Sequence, residues 1–185
     1  DAERRVLLYV ANDATLAVVT ELRENTLALL QITPLTLREI LMSKAAAAVW
    51  RRAEELSMVI STAFMLTLPL LLLQYTGMIS LQQYPVESRF VVFAALTVAL
   101  ARLFLEPLMV AAIGVVVAII MPFRISGVLW TMTITGGYFA LINLPRLLNM
   151  PVNLRLLLEI ALPLIVPLII IWSAFRFATY LLLRD

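Results

Sequence analysis

The sequence predicts an all-α, polytopic transmembrane helix bundle, and three observations lead there. Hydrophobic residues make up 63% of the 185-residue chain, and mean hydropathy is +1.00. Only 14% of residues are charged, whereas a soluble domain is about half apolar and about a quarter charged. Two stretches, 56–75 and 125–144, each run 20 residues without a charge, the length at which a helix crosses a bilayer core.

Taken in order, residues 6–20 pattern as a short helix carrying Asn12 and Asp13, which lipid tolerates only at a cost. This predicts the inner end of a span. No initiating methionine or signal-peptide layout stands at Asp1, so the chain reads as starting partway into a longer protein, with an N-terminal part missing. The stretch "ITPLTLREILMSK", 32–44, is polar and charged in an otherwise apolar chain. Thr33-Pro34 fits an N-cap followed by proline at the first helical position. Thr36 to Glu39 fits a capping box. Either start opens a helix, assigned to 33–52. Leu37, Ile40, Leu41, Ala45, Ala48 and Val49 fall on one side of it, and Arg38, Glu39, Ser43 and Lys44 on the other. That division predicts an amphipathic helix on the cytoplasmic membrane surface, leading through Arg51 and Arg52 into the span 56–75.

Residues 90–121 are apolar except for Arg102 and Glu106. As helix they measure about 48 Å, too long for one straight crossing, and Pro107 is expected to kink or break them. One long bent span is the preferred reading over a broken re-entrant pair. The third span is 125–144. The fourth, 156–175, has Glu159 near its start and Pro163 and Pro167 inside. Arg176 marks the following interface, and residues 177–183 continue for a turn or two. The whole chain, 1–185, reads as one transmembrane domain. Seven of the basic residues lie in 1–55 (Arg4, Arg5, Arg23, Arg38, Lys44, Arg51 and Arg52), so that side is assigned to the cytoplasm. Alternation then puts 76–89 and 145–155 outside, and Arg124 and the C-terminus inside. Trp50, Trp130 and Trp172 fit a belt near the cytoplasmic interface.

The absence of cysteine and histidine removes thiol redox chemistry, disulfides and imidazole metal or haem sites. A net charge of +2 gives no case for nucleic acid, and no phosphate-binding glycine loop is present. The carboxylates are scattered and the serines lack a base. No catalytic set, metal or cofactor is therefore expected. Arg102 and Glu106, four apart, form a candidate intramembrane pair, read either as a structural ion pair or as part of a pathway or gate. Ala95 with Ala99, and Gly114 with Ala118, have the small-residue spacing of close helix packing. Gly136-Gly137 reads as a bend or a close contact.

The segment from Glu21 to Lys44, "ELRENTLALLQITPLTLREILMSK", resembles the cytoplasmic segment of type-2 permeases of ATP-binding-cassette transporters. The matching positions are Glu21, Thr26, Leu27, Leu29, Leu30, Thr33, Pro34, Leu35, Glu39, Ile40 and Lys44. In that family the segment is a coupling helix docked on a separate ATPase subunit. The resemblance therefore implies ATPase-coupling roles for Glu21, Thr26, Thr33, Pro34, Leu35, Glu39 and Lys44. It also implies a second permease copy, surrounding lipid, and the inner or plasma membrane of a prokaryote. The implied activity is export of a hydrophobic or amphipathic cargo by alternating access, with ATP hydrolysed by the separate subunit. Asn25, Ala28 and Ser43 stand where the family has Gly, Glu and Gly. Ala28 motivates an alternative: a non-transporting, permease-like structural subunit held among other subunits of a membrane complex.

Overall fold

The computed structural model describes residues 2–24, 35–78, 85–148 and 150–184. Among them the chain forms helices and no strand: α1 (Ala2–Arg23), α2 (Leu37–Trp50), α3 (Ala53–Met78), α4 (Pro85–Ile120), α5 (Arg124–Leu147) and α6 (Val152–Arg184). Within α4, α5 and α6, the segments Arg89–Ile120, Arg124–Leu147 and Val152–Leu183 are long and apolar enough to cross a membrane. The molecule is thus a multi-pass helical bundle. The uncharged run 56–75 lies within α3.

The segment 90–121 lies in a single continuous helix with Pro107 inside it. At 36 residues and 1.5 Å rise, α4 is about 54 Å long, well beyond a hydrocarbon core of about 30 Å. It is also the axis of the bundle. Of its most apolar window 61% is buried, against 28% and 22% for α5 and α6. Met109, Val110, Ala111, Ala112, Val115 and Ala118 are fully enclosed by the surrounding helices. Lipid is as apolar as these side chains, so close van der Waals packing rather than burial from water holds helices together in a bilayer. Small residues permit that approach. A Cβ on Gly114 would stand 3.3 Å from Ala14 Cβ, and one on Gly127 only 2.7 Å from Thr15 Cγ2. α1 thus lies against both α4 and α5. Gly136 and Gly137, by contrast, face open space.

Contacts fix the directions. Val6 and Leu7 adjoin Glu106 and Pro107, and Ala11 and Ala14 adjoin Gly114, so α1 runs parallel to α4. Ala95 packs on Leu156 near the starts of both helices, and Phe175 and Ala178 join the core that holds Val115 and Ala118 near their ends, so α6 also runs with α4. Lys44 pairs with Glu21, and Arg52 with Asp13, so α2 runs antiparallel to α1. α2 starts at the capping box: the Glu39 N–H donates to Thr36 Oγ1, and the Thr36 N–H donates to Glu39 Oε2 at 2.8 Å. The earlier N-cap at Thr33-Pro34 lies outside the described residues. Ile40, Leu41, Ala45 and Ala48 are buried in the bundle against α1, α4 and α6. The apolar side expected to face lipid at a membrane surface is covered by protein. An apolar stripe has no preference between the two, and α4 supplies the partner.

Candidate functional site

Three polar clusters interrupt the apolar bundle. The first joins α1 to the α2–α3 elbow. Arg52 Nε donates to Asp13 Oδ2 at 2.9 Å, and Arg52 Nη1 donates to Glu55 Oε1 at 3.0 Å. The guanidinium also lies 4.8 Å from the centre of the Tyr9 ring. The bond to Asp13, then that to Glu55, holds the Arg52 pKa above its ordinary value, so its guanidinium stays charged at any working pH. Arg124 Nε donates to Asn12 Oδ1 at 3.1 Å, bringing α5 into the group. Asn12 and Asp13, costly in lipid, are thereby supplied with partners. About two helical turns further along, Lys44 Nζ donates to Glu21 Oε1.

The second cluster lies inside the bundle. Arg102 Nε donates to Glu106 Oε1 at 2.7 Å, so the two residues four apart do meet on one helix. Glu106 is 2% exposed. The Tyr138 hydroxyl of α5 donates to the same oxygen at 3.0 Å. Tyr138 was not foreseen from the sequence, because it is 32 residues away and nothing local marks it as a partner. Glu106 also borders a small pocket with Val6, Leu7, Leu56, Val59, Ile60, Leu103 and Pro107.

The third cluster centres on Glu159, also buried. Arg155 Nε donates to its Oε1 at 2.9 Å, and Arg146 Nε stands 3.4 Å from the same oxygen. The spacing of Arg155 and Glu159, one helical turn, was a signal available in the sequence. Arg146, from the end of α5, was not. Extending the parallel α4–α6 register from Ala95 and Leu156 places Glu106 about level with Pro167, and Arg102 about level with Pro163. Pro163 and Pro167, four apart, share one side of α6, and both are buried. Together with Pro107 they interrupt the backbone hydrogen bonding of both helices near the Arg102–Glu106–Tyr138 cluster.

Of the residues assigned to ATPase coupling, Glu21 and Lys44 are brought together as an ion pair. Glu39 serves the capping box, where bonds from the Thr36 hydroxyl and N–H hold its carboxyl below the ordinary carboxylate value. Leu35 is 55% exposed. Thr26, Thr33 and Pro34 lie outside the described residues. Between α1 and α2 a groove of about 510 Å³ is lined by both acids and bases, among them Asp13, Glu21, Glu24, Lys44 and Arg51. Among the described residues no group of three acidic, histidine or cysteine side chains is arranged to hold a metal ion.

The class defined by this architecture is a multi-pass membrane protein with polar clusters inside a helical bundle. Comparison with protein-family models, with curated proteins and with solved structures finds no match.

Proposed function

We propose that the chain is the membrane-spanning permease subunit of an ATP-binding-cassette exporter. In this reading it dimerises, pairs with a separate ATPase subunit and hydrolyses nothing itself. The observation that carries the proposal is the Glu21-to-Lys44 segment. Its resemblance to the coupling segment of type-2 permeases is joined by the ion pair between its first and last residues. That pair clamps the last turn of α1 to the middle of α2, so a push on the intervening chain reaches both helices together. α1 in turn packs on α4 through Ala11, Ala14 and Gly114. Force applied at the segment thus has a packed route to the bundle axis.

The proline level of α4 and α6 supplies a place to bend. A proline leaves the carbonyl four residues earlier without its helical partner, and sharp helix kinks concentrate at such sites. In this reading the Arg102–Glu106–Tyr138 cluster latches α4 to α5 at that level while α6 flexes. Residues 1–55 and the C-terminus are cytoplasmic, α3 is a further span, and the membrane is the inner or plasma membrane of a prokaryote. Ala28 favours the second reading, a structural subunit without ATP dependence, because it removes a charge from the middle of the coupling segment.

The variant Glu39→Arg combined with Pro34→Ala tests the exporter reading. ATPase association is expected to fall while membrane insertion survives. Unchanged association contradicts the coupling role.

A further inference from the structure

At the end of the bundle where α2 begins and α6 finishes, a groove of about 430 Å³ is lined by Arg38, Trp172, Arg176, Thr179, Tyr180 and Leu183. The five α6 residues recur at helical spacing and form one face. Neither Arg38 nor Arg176 forms an ion pair among the described residues. Arg52, Arg102, Arg146 and Arg155 all do. Arg176 instead lies over the Trp172 ring, 5.2 Å from its centre. Glu39, the acid adjacent to Arg38, is engaged by the Thr36 N–H and hydroxyl, each at 2.8 Å. Two arginines therefore line one groove with no counter-charge among the described residues.

The position of the groove narrows the ligand. Trp50, Trp130 and Trp172 are 80%, 50% and 55% exposed. Trp50 adjoins Phe104 and Pro107. Trp172 is about level with Ala111 by the α4–α6 register, and Trp130 is one turn beyond the Gly127–Thr15 contact. Trp130 and Trp172 thus stand at about one height, with Trp50 within about two turns of it, as in an interfacial belt. Arg176 is one turn, about 6 Å, to the polar side of Trp172. Lipid phosphates lie there. Trp172, Tyr180 and Leu183 supply apolar surface for glycerol and the upper acyl chains.

We infer that this groove binds the phosphate headgroup of an anionic phospholipid between Arg38 and Arg176. A zwitterionic headgroup brings its own ammonium and leaves one guanidinium charge unmatched. An anionic one neutralises more of the pair, and basic pockets between membrane helices are suited to such lipids. The inference requires that α6 crosses a membrane and is independent of the exporter reading.

The test is native mass spectrometry of the full chain in mild detergent, titrated with dioleoyl phosphatidylglycerol or dioleoyl phosphatidylcholine. Wild type is expected to retain phosphatidylglycerol at least tenfold more tightly. R38Q or R176Q should weaken it about fivefold each, and R38Q/R176Q more than tenfold, by loss of one interfacial charge at a time. R51Q, which removes an exposed cation from the other groove, should change it less than twofold. Both arginines are exposed and form no ion pair among the described residues, so the double variant should melt with wild type. Equal binding of the two lipids, or full retention by the double variant, overturns the inference. So does an equal loss in R51Q, which would mean diffuse surface charge. Displacement of the lipid by millimolar inorganic phosphate would also overturn it, by making the groove a free-anion site.

Discussion

Thr15 sits where α1 meets both α4 and α5, 0% exposed, with its hydroxyl lacking a partner among the described residues. Its methyl group occupies the space that a Cβ on Gly127 would need. Gly127→Ala is therefore expected to destabilise the bundle by about 1–3 kcal/mol through overpacking, and adding Thr15→Ser, which deletes that methyl, should recover most of the loss. Thermal melting in detergent checks both, and an unaffected single variant contradicts the crossing. Glu39 gives a pH prediction. Its folded-state pKa is depressed by the Thr36 hydroxyl and then the Thr36 N–H. Its contribution is thus present above the ordinary carboxylate pKa and lost as pH falls through the lower folded value. The protection of the first-turn amides of α2, taken relative to intrinsic exchange at each pH, should fall on acidification, and Glu39→Gln should abolish that fall. The capping box was legible in the sequence because its four residues are contiguous. The Thr15–Gly127 contact was not, since Gly127 in isolation looks like any helical glycine. Gly114 was legible only as half of a small-residue spacing, without the identity of the helix it would meet.

Among the elements, α1 and α2 differ most from their sequence patterns. α1 was expected as the inner end of a span and is a 22-residue helix lying along α4. Its polar residues Asn12 and Asp13 looked like a boundary with water, yet they are met by Arg124 and Arg52. Those partners are 112 and 39 residues distant, beyond the reach of any local pattern. α2 shows the complementary limit, because periodicity specifies which side is apolar and leaves open what covers it. Charge inversion tests the α1–α2 clamp. Lys44→Glu places two acids together at side chains 18% and 23% exposed, and should cost about 1 kcal/mol with faster exchange in the last turns of α1. The swap Glu21→Lys with Lys44→Glu should restore protection. Failure of the swap to recover it contradicts the pairing.

At the scale of the whole molecule, the bundle was legible from the uncharged runs, because a long apolar helix in a chain this hydrophobic has few alternatives to a membrane. The arrangement of helices around α4 was not, since it depends on small residues and buried ion pairs whose partners are distant in sequence. The lack of cysteine makes the topology directly measurable. With residues 1–55 cytoplasmic, Leu148→Cys is expected to react with an impermeant maleimide in intact cells. Pro122→Cys should react only after permeabilisation, and the reverse pattern would invert the orientation. The central claim, a permease driven by a separate ATPase, is tested most directly by native purification in mild detergent with mass spectrometry of the co-purifying chains. The exporter reading predicts an ATP-binding subunit at about one per chain. A large complex without any ATPase would contradict it and make the Glu21–Lys44 segment part of a structural subunit.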